Sequence, residues 1–282
     1  MSWWKPLVIV VAAVVLMVGT SFVLGIAAMI AEVLLFDRDP ENLQMTPLML
    51  LATNASLVIM AVPTLILTAW LSRTPWRRLL QADGRVRFGR GGLYLVIFGA
   101  LVLVATAVMS LVDPSTAGVG GFAVSGTTIA LIAAVVLTTP LQAAAEEITF
   151  RGAIMPAVAS WIRPARAAVV VGLAGSSLVF GTVHLSADPW LFAYYTLFGA
   201  SMAAMAVISR GLEAPIAFHV ANNVVMMLLA ALFADGGGFT IDRSVGMGGP
   251  FMLFFIAVDV LAVVIVWLME RRARRERRTL ES

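Results

Sequence analysis

The stretch PLVIVVAAVVLMVGTSFVLGIAAMIAEVLLF, residues 6–36, carries a single charged side chain, Glu32. A helix of that length, rising 1.5 Å per residue, exceeds the roughly 30 Å hydrocarbon core of a bilayer. The run is also far longer than the core of a secretion signal and has no clear small-residue cleavage site, so it reads as an uncleaved first span. The rest of the chain agrees with it. Hydrophobic residues make up 61% of the sequence, charged residues 12%, and the mean hydropathy is +0.97. Such a composition excludes a soluble domain.

Further apolar runs lie at 47–71, 92–112, 127–150, 167–184, 190–209, 215–233 and 250–270. The expected fold is therefore all-α, a polytopic membrane helical bundle of about eight transmembrane helices. It forms a single integral membrane domain over residues 1–282. The absence of cysteine rules out disulfides, thiolate nucleophiles and cysteine metal sites.

Short cytoplasmic loops carry excess Lys and Arg, and the linkers here alternate accordingly. Residues 37–45 are mainly acidic, whereas 73–90 hold six arginines; 113–126 have none, whereas 151–166 have three. Asp188 marks an outer turn, Arg210 an inner one, 235–249 a glycine-rich outer loop, and RRARRERR at 271–278 a basic tail. A multi-pass cell-membrane protein with both termini cytoplasmic is expected. The tail suits anionic lipid headgroups beside a final span and acts as a stop-transfer signal, and nucleic acid is not an expected partner. Trp3, Trp4, Trp76 and Trp190 fall near predicted interfaces, and Gly199, Ala200 and Ala203 suit close helix packing.

Ionisable groups at bilayer depth are costly and mark functional sites by default. In QAAAEEITFR, residues 142–151, Glu147 and Arg151 are one helical turn apart and can pair. Glu146 points about 100° away and is left free as a general base. Pro140, after Thr138 and Thr139, is expected to kink or loosen this helix. The other reading of the segment is a charged helix end. Phe180 and His184, in FGTVH, share a helical face, where the ring can wall a site; His184 can equally be an interfacial histidine. His219 and Asn223, in HVANN, present two hydrogen-bond donors to one point, which suits a tetrahedral oxyanion at ~3 kcal/mol per donor in a dry site. His184 and His219 are the only histidines, and Asn222 is expected to face elsewhere. Glu32, Asn54 and Asp259 read as hydrogen-bonding groups of the bundle interior.

Together the three segments resemble the signature of the membrane-embedded CAAX-processing and bacteriocin-processing (CPBP, Abi) protease family, which includes the type II CAAX prenyl endopeptidases. The motifs are Glu146-Glu147 with Arg151, Phe180 with His184, and His219 with Asn223, in order on successive apolar spans. The resemblance covers roughly residues 138–230 and places the catalytic core in 127–233. It implies an intramembrane endopeptidase in which Glu146, assisted by His184, activates water, while His219 and Asn223 form the oxyanion site and Glu147, Arg151 and Phe180 support them. Its substrate would be a membrane-associated protein or peptide, lipidated or membrane-proximal if the CAAX-processing branch is the guide.

No cofactor is favoured. Glu146, His184 and His219 could supply a three-ligand zinc site with water in the fourth position, but no His-Glu-x-x-His cluster lies on one helix, and the metal-free reading is preferred. Two other classes are open, a proton-coupled transporter using Glu146, Glu147 and His184 as a relay and an inert membrane scaffold. No inverted repeat supports the former, and the intact motifs speak against the latter. Substrate identity and oligomeric state are left open.

Helix counting poses one conflict. It sets Glu146 at the inner end of its span and His184 at the outer end of the next, about 25 Å apart along the bilayer normal. Either the fourth helix continues past Arg151 toward Trp161, or residues 152–164 re-enter the membrane.

Overall fold

A computed structural model of the chain describes residues 1–39, 41, 44–112 and 121–281. Among these, eight helices are long and apolar enough to cross a membrane, as a multi-pass membrane protein requires. The order is α1 (Trp4–Phe36), α2 (Pro47–Ser72), a short α3 (Trp76–Leu80), α4 (Phe88–Val112) and α5 (Gly126–Glu147). A π-helical segment (Ile148–Ile154) and α6 (Met155–Ala159) continue α5, and α7 (Ala165–Val183), α8 (Pro189–Ser209), α9 (Glu213–Leu232) and α10 (Met252–Glu281) complete the bundle. Residues 113–120 of the expected outer loop, and Pro40, Asn42 and Leu43 of the acidic linker, lie outside the described residues.

The polarity of the bundle follows from its solvent. Val96, Leu111 and Leu34 face outward at 72–83% exposure, whereas Asn54, Glu147, Arg151, His219 and Asp259 are buried. Lipid is as apolar as a leucine core, so helices associate through packing and internal hydrogen bonds. Asn54 does so by donating from Nδ2 to Thr138 Oγ1 at 2.7 Å and Thr139 Oγ1 at 3.2 Å, joining α2 to α5. Glu32 accepts from Thr46 Oγ1 and pairs with Arg38, as an interior group should. Helix starts follow local chemistry. Thr46 and Ser125 cap α2 and α5 with side-chain oxygens, and Asp188 caps α8 ahead of Pro189.

The fourth span differs from the expected 127–150. The helix runs without a break from Gly126 to Ala159, which resolves the conflict in depth in favour of continuation. Glu146 therefore sits about 30 Å from the start of this helix and about 20 Å from its end, deep in the bundle rather than at a helix terminus. Two features permit the extension. The residues after Arg151 are apolar, and the wide π turn, with Met155 N–H donating to Phe150 O, delivers the chain to Pro156 where a missing N–H does least harm. Close contact then returns the chain. A Cβ on Gly172 of α7 would stand 2.8 Å from both Ala159 Cβ and Met155 O, so only glycine lets α7 pack this tightly on α6.

The segment after α9 is fastened across the outer ends of the helices. Met45 N–H donates to Phe239 O, Ala187 N–H donates to Arg243 O, and Gly246 N–H donates to Asp188 Oδ2. Backbone N–H donors, foremost that of Leu191, hold the Asp188 carboxyl below the ordinary carboxylate range.

Candidate active site

The three motif segments meet at the floor of one cavity of about 510 Å³. Glu146, Phe180, His184, His219 and Asn223 all line it, and Glu147 and Arg151 lie buried just behind. Glu146 and Glu147 leave α5 on diverging directions immediately before the π segment, whose seven residues, ITFRGAI, have no marker in the sequence pattern. Such wide turns often accompany functional sites.

Arg151 Nη1 donates to Glu147 Oε1 at 3.1 Å, as the one-turn spacing suggests, and Nη2 donates to Gly199 O at 2.8 Å. Both side chains of the ion pair are fully buried. The guanidinium also stands 4.7 Å from the Phe180 ring centroid, a cation–π contact in a dry setting. Gly199 makes this approach feasible, because a Cβ there would lie 3.3 Å from Arg151 Nη2 and from Phe180 Cδ1.

His219, on α9, bridges the carboxylates. Its Nδ1 lies 2.7 Å from Glu147 Oε1 and its Nε2 lies 3.3 Å from Glu146 Oε2. His219 thus stands between the two carboxylates, with the Glu147–Arg151 ion pair behind it.

The imidazole that touches the carboxylates is that of His219, and both its nitrogens face them rather than standing free beside Asn223. Helical spacing revealed which residues share a face of α9 but not what fills the opposite wall. Asn223 donates from Nδ2 to Gln142 Oε1 at 3.2 Å, and Asn222, expected to face elsewhere, donates to Asn223 Oδ1 at 3.2 Å and lines the same cavity.

His184 caps the end of α7. Its Nδ1 donates to Phe180 O at 2.7 Å, so the neutral ring offers Nε2 as an acceptor. The imidazole is stacked on Tyr195, with centroids 4.1 Å apart, and lies 4.5 Å from Phe180. Phe180 in turn meets the His219 ring edge-on at 6.1 Å, so one phenyl ring braces both imidazoles. Sequence reasoning missed Gln142, Tyr195, Phe198 and Arg243. Gln142 lies one turn before Glu146, which was a usable signal; the others belong to no motif and reach the site only through folding.

Among the described residues no group of three or more His, Asp or Glu side chains is arranged to hold a metal ion.

Residues 125–225 match the family model described as type II CAAX prenyl endopeptidase, Rce1-like. That segment begins at the cap of α5, ends within α9 and contains all seven motif residues, so the resemblance carried by the motifs holds there. The match supports a CAAX-type intramembrane protease, a membrane-embedded protein acting on peptide substrates. Over 256 residues, 86% of this chain and 82% of the relative, the sequence is 25% identical to the uncharacterized protein YyaK of Bacillus subtilis (strain 168). No solved structure matches the chain.

Proposed function

We propose that the chain is an intramembrane endopeptidase that hydrolyses a peptide bond of a membrane-associated substrate, with Glu146 as the base that activates water and residues 127–233 as its catalytic core. The observation that carries this reading is the buried Glu146–His219–Glu147–Arg151 chain at the floor of a cavity large enough for a peptide segment. Glu147 and Arg151 neutralise each other and orient His219. His219 in turn lies against Glu146, which is a carboxylate before attack and, having taken a proton from water, a carboxylic acid after it.

In the forward step water loses a proton to Glu146 while its oxygen bonds to the scissile carbonyl carbon. His184 Nε2, fixed by the bond from Nδ1 to Phe180 O, accepts the second water hydrogen and aligns the attack. The oxyanion is met by the amide N–H groups of Asn223 and Asn222, re-aimed from their present partners. Glu146 then delivers its proton to the departing amine as the C–N bond breaks. The products are a carboxylic acid and an amine. No step is routed through a metal.

The test is cleavage of a membrane-tethered peptide library by purified protein, comparing wild type with Glu146→Gln and His219→Ala, with and without a zinc chelator. Activity that resists chelation and is lost in both variants is the expected result. Activity that chelation removes and zinc restores would overturn the metal-free mechanism, and cleavage undiminished in Glu146→Gln would overturn the role of that carboxylate.

A further inference from the structure

The arginines and the mouth of the cavity lie at opposite ends of the bundle. One end gathers Arg73 to Arg90 from the end of α2 into the first turn of α4, Arg163 and Arg166 at the start of α7, Arg210 between α8 and α9, and the arginines that follow Glu270 on α10. At the other end the described residues include two arginines, and both are engaged. Arg38 pairs with Glu32 at 2.8 Å, and Arg243 donates to His184 O at 2.9 Å.

The cavity opens toward this second, arginine-poor end. From His219 to Ala230 its lining follows α9 for about 16 Å in that direction. It reaches the segment after α9, where Thr240, Ile241, Asp242 and Met247 line it and are exposed. Toward the arginine-rich end it does not continue: a separate cavity of about 380 Å³ reaches Arg151 from that side, and the fully buried Glu147–Arg151 pair stands between the two.

Arginine-rich ends are retained in the cytoplasm during insertion, because moving them across the bilayer is unfavourable. We infer that the active-site cavity opens on the non-cytoplasmic face of the membrane, and that its substrate is a membrane-proximal peptide segment presented from that face rather than a lipidated C-terminus in the cytosol. The orientation stands on geometry and charge alone, and the substrate class rests also on the proteolytic reading. The lining suits an uncharged extended segment: Tyr194, Tyr195 and Met226 offer apolar and aromatic surface, and the Asn222 and Asn223 amides can bond a peptide backbone.

The cysteine-free sequence permits a direct test in intact cells, with single-cysteine variants Thr240→Cys at the mouth and Ala165→Cys at the start of α7. A membrane-impermeant maleimide should label Thr240→Cys without permeabilisation and Ala165→Cys only after it. The reverse pattern would overturn the inference. The same cells then express a short randomised apolar peptide beside a single-span anchor, displayed either outside or inside. Cleavage of the outside form alone, abolished by Glu146→Gln, is expected. Cleavage of the inside form alone would overturn the substrate class. With the mouth labelled from outside, failure of both forms would count against the hydrolase reading and leave the orientation standing.

Discussion

Two ionic clusters, one fully and one partly buried, hold this bundle together, and they differ in what they leave free. At the arginine-rich end Arg90 bonds Glu270 at 2.9 Å and Glu213 at 3.0 Å, while Tyr94 OH donates to Glu270 and the Arg87 N–H donates to Glu213. These contacts tie α4, α9 and α10 together. At the centre, Arg151, Glu147, His219 and Glu146 form a chain of similar size. Its second half is an imidazole and a carboxylate 3.3 Å apart that face a cavity. Burial of charge alone therefore does not distinguish a structural clasp from a reaction centre. The central chain differs in placing an imidazole between two carboxylates and in facing the larger cavity, about 510 Å³ against about 240 Å³ beside Arg90.

The sharpest division between the clusters is at His219. Its replacement in His219→Gln keeps a polar side chain but removes the imidazole beside Glu146. Peptide cleavage should fall by about 10²- to 10⁴-fold, the usual contribution of acid–base catalysis, as measured by initial rates in reconstituted bilayers. Arg151→Met probes the part of the central cluster that behaves as a clasp. It strands Glu147 in a fully buried site, and thermal or denaturant unfolding in detergent should show a loss of about 3–5 kcal/mol.

Glu213→Gln tests the peripheral clasp. One of the two carboxylates on Arg90 becomes neutral, which should lower stability by about 1–3 kcal/mol in the same unfolding assay while cleavage per folded molecule stays within twofold of wild type, on the order of experimental scatter. Gly199→Ala should have the smallest effect. The added methyl presses on Arg151 and Phe180 at 3.3 Å, and overpacking of this kind costs about 1 kcal/mol, with a modest decline in cleavage as the Arg151–Glu147 pair shifts.

Much of this was legible in the sequence because a bilayer imposes a simple rule on composition. Seven of the eight apolar runs correspond to the helices found to within a few residues at their membrane ends. The exception is the span carrying Glu146, bounded at 150 with its continuation toward Trp161 left as one of two alternatives, and the helix does continue to Ala159. Glu147 and Arg151 neutralise each other, and a neutral pair does not need an interface. The seven motif residues were also legible, since histidine, glutamate and asparagine stand out against an apolar background. Their partnerships were not. Helical spacing gives neighbours along one helix, whereas the contact of His219 with both glutamates joins α9 to α5, and the bracing of His184 by Tyr195 joins α7 to α8. The clasp around Arg90 escaped notice for the same reason, as its members lie at three helix ends with no local pattern.

The most direct measurement pairs the two clusters in one experiment. Glu146→Gln and Glu213→Gln each replace one buried carboxylate by its amide. Both are reconstituted at equal folded amounts, and cleavage of a tethered peptide is compared with wild type. The account predicts that Glu146→Gln folds normally and does not cleave, while Glu213→Gln is less stable and cleaves at the wild-type rate. Equal cleavage by the two variants, or activity retained in Glu146→Gln, would contradict it.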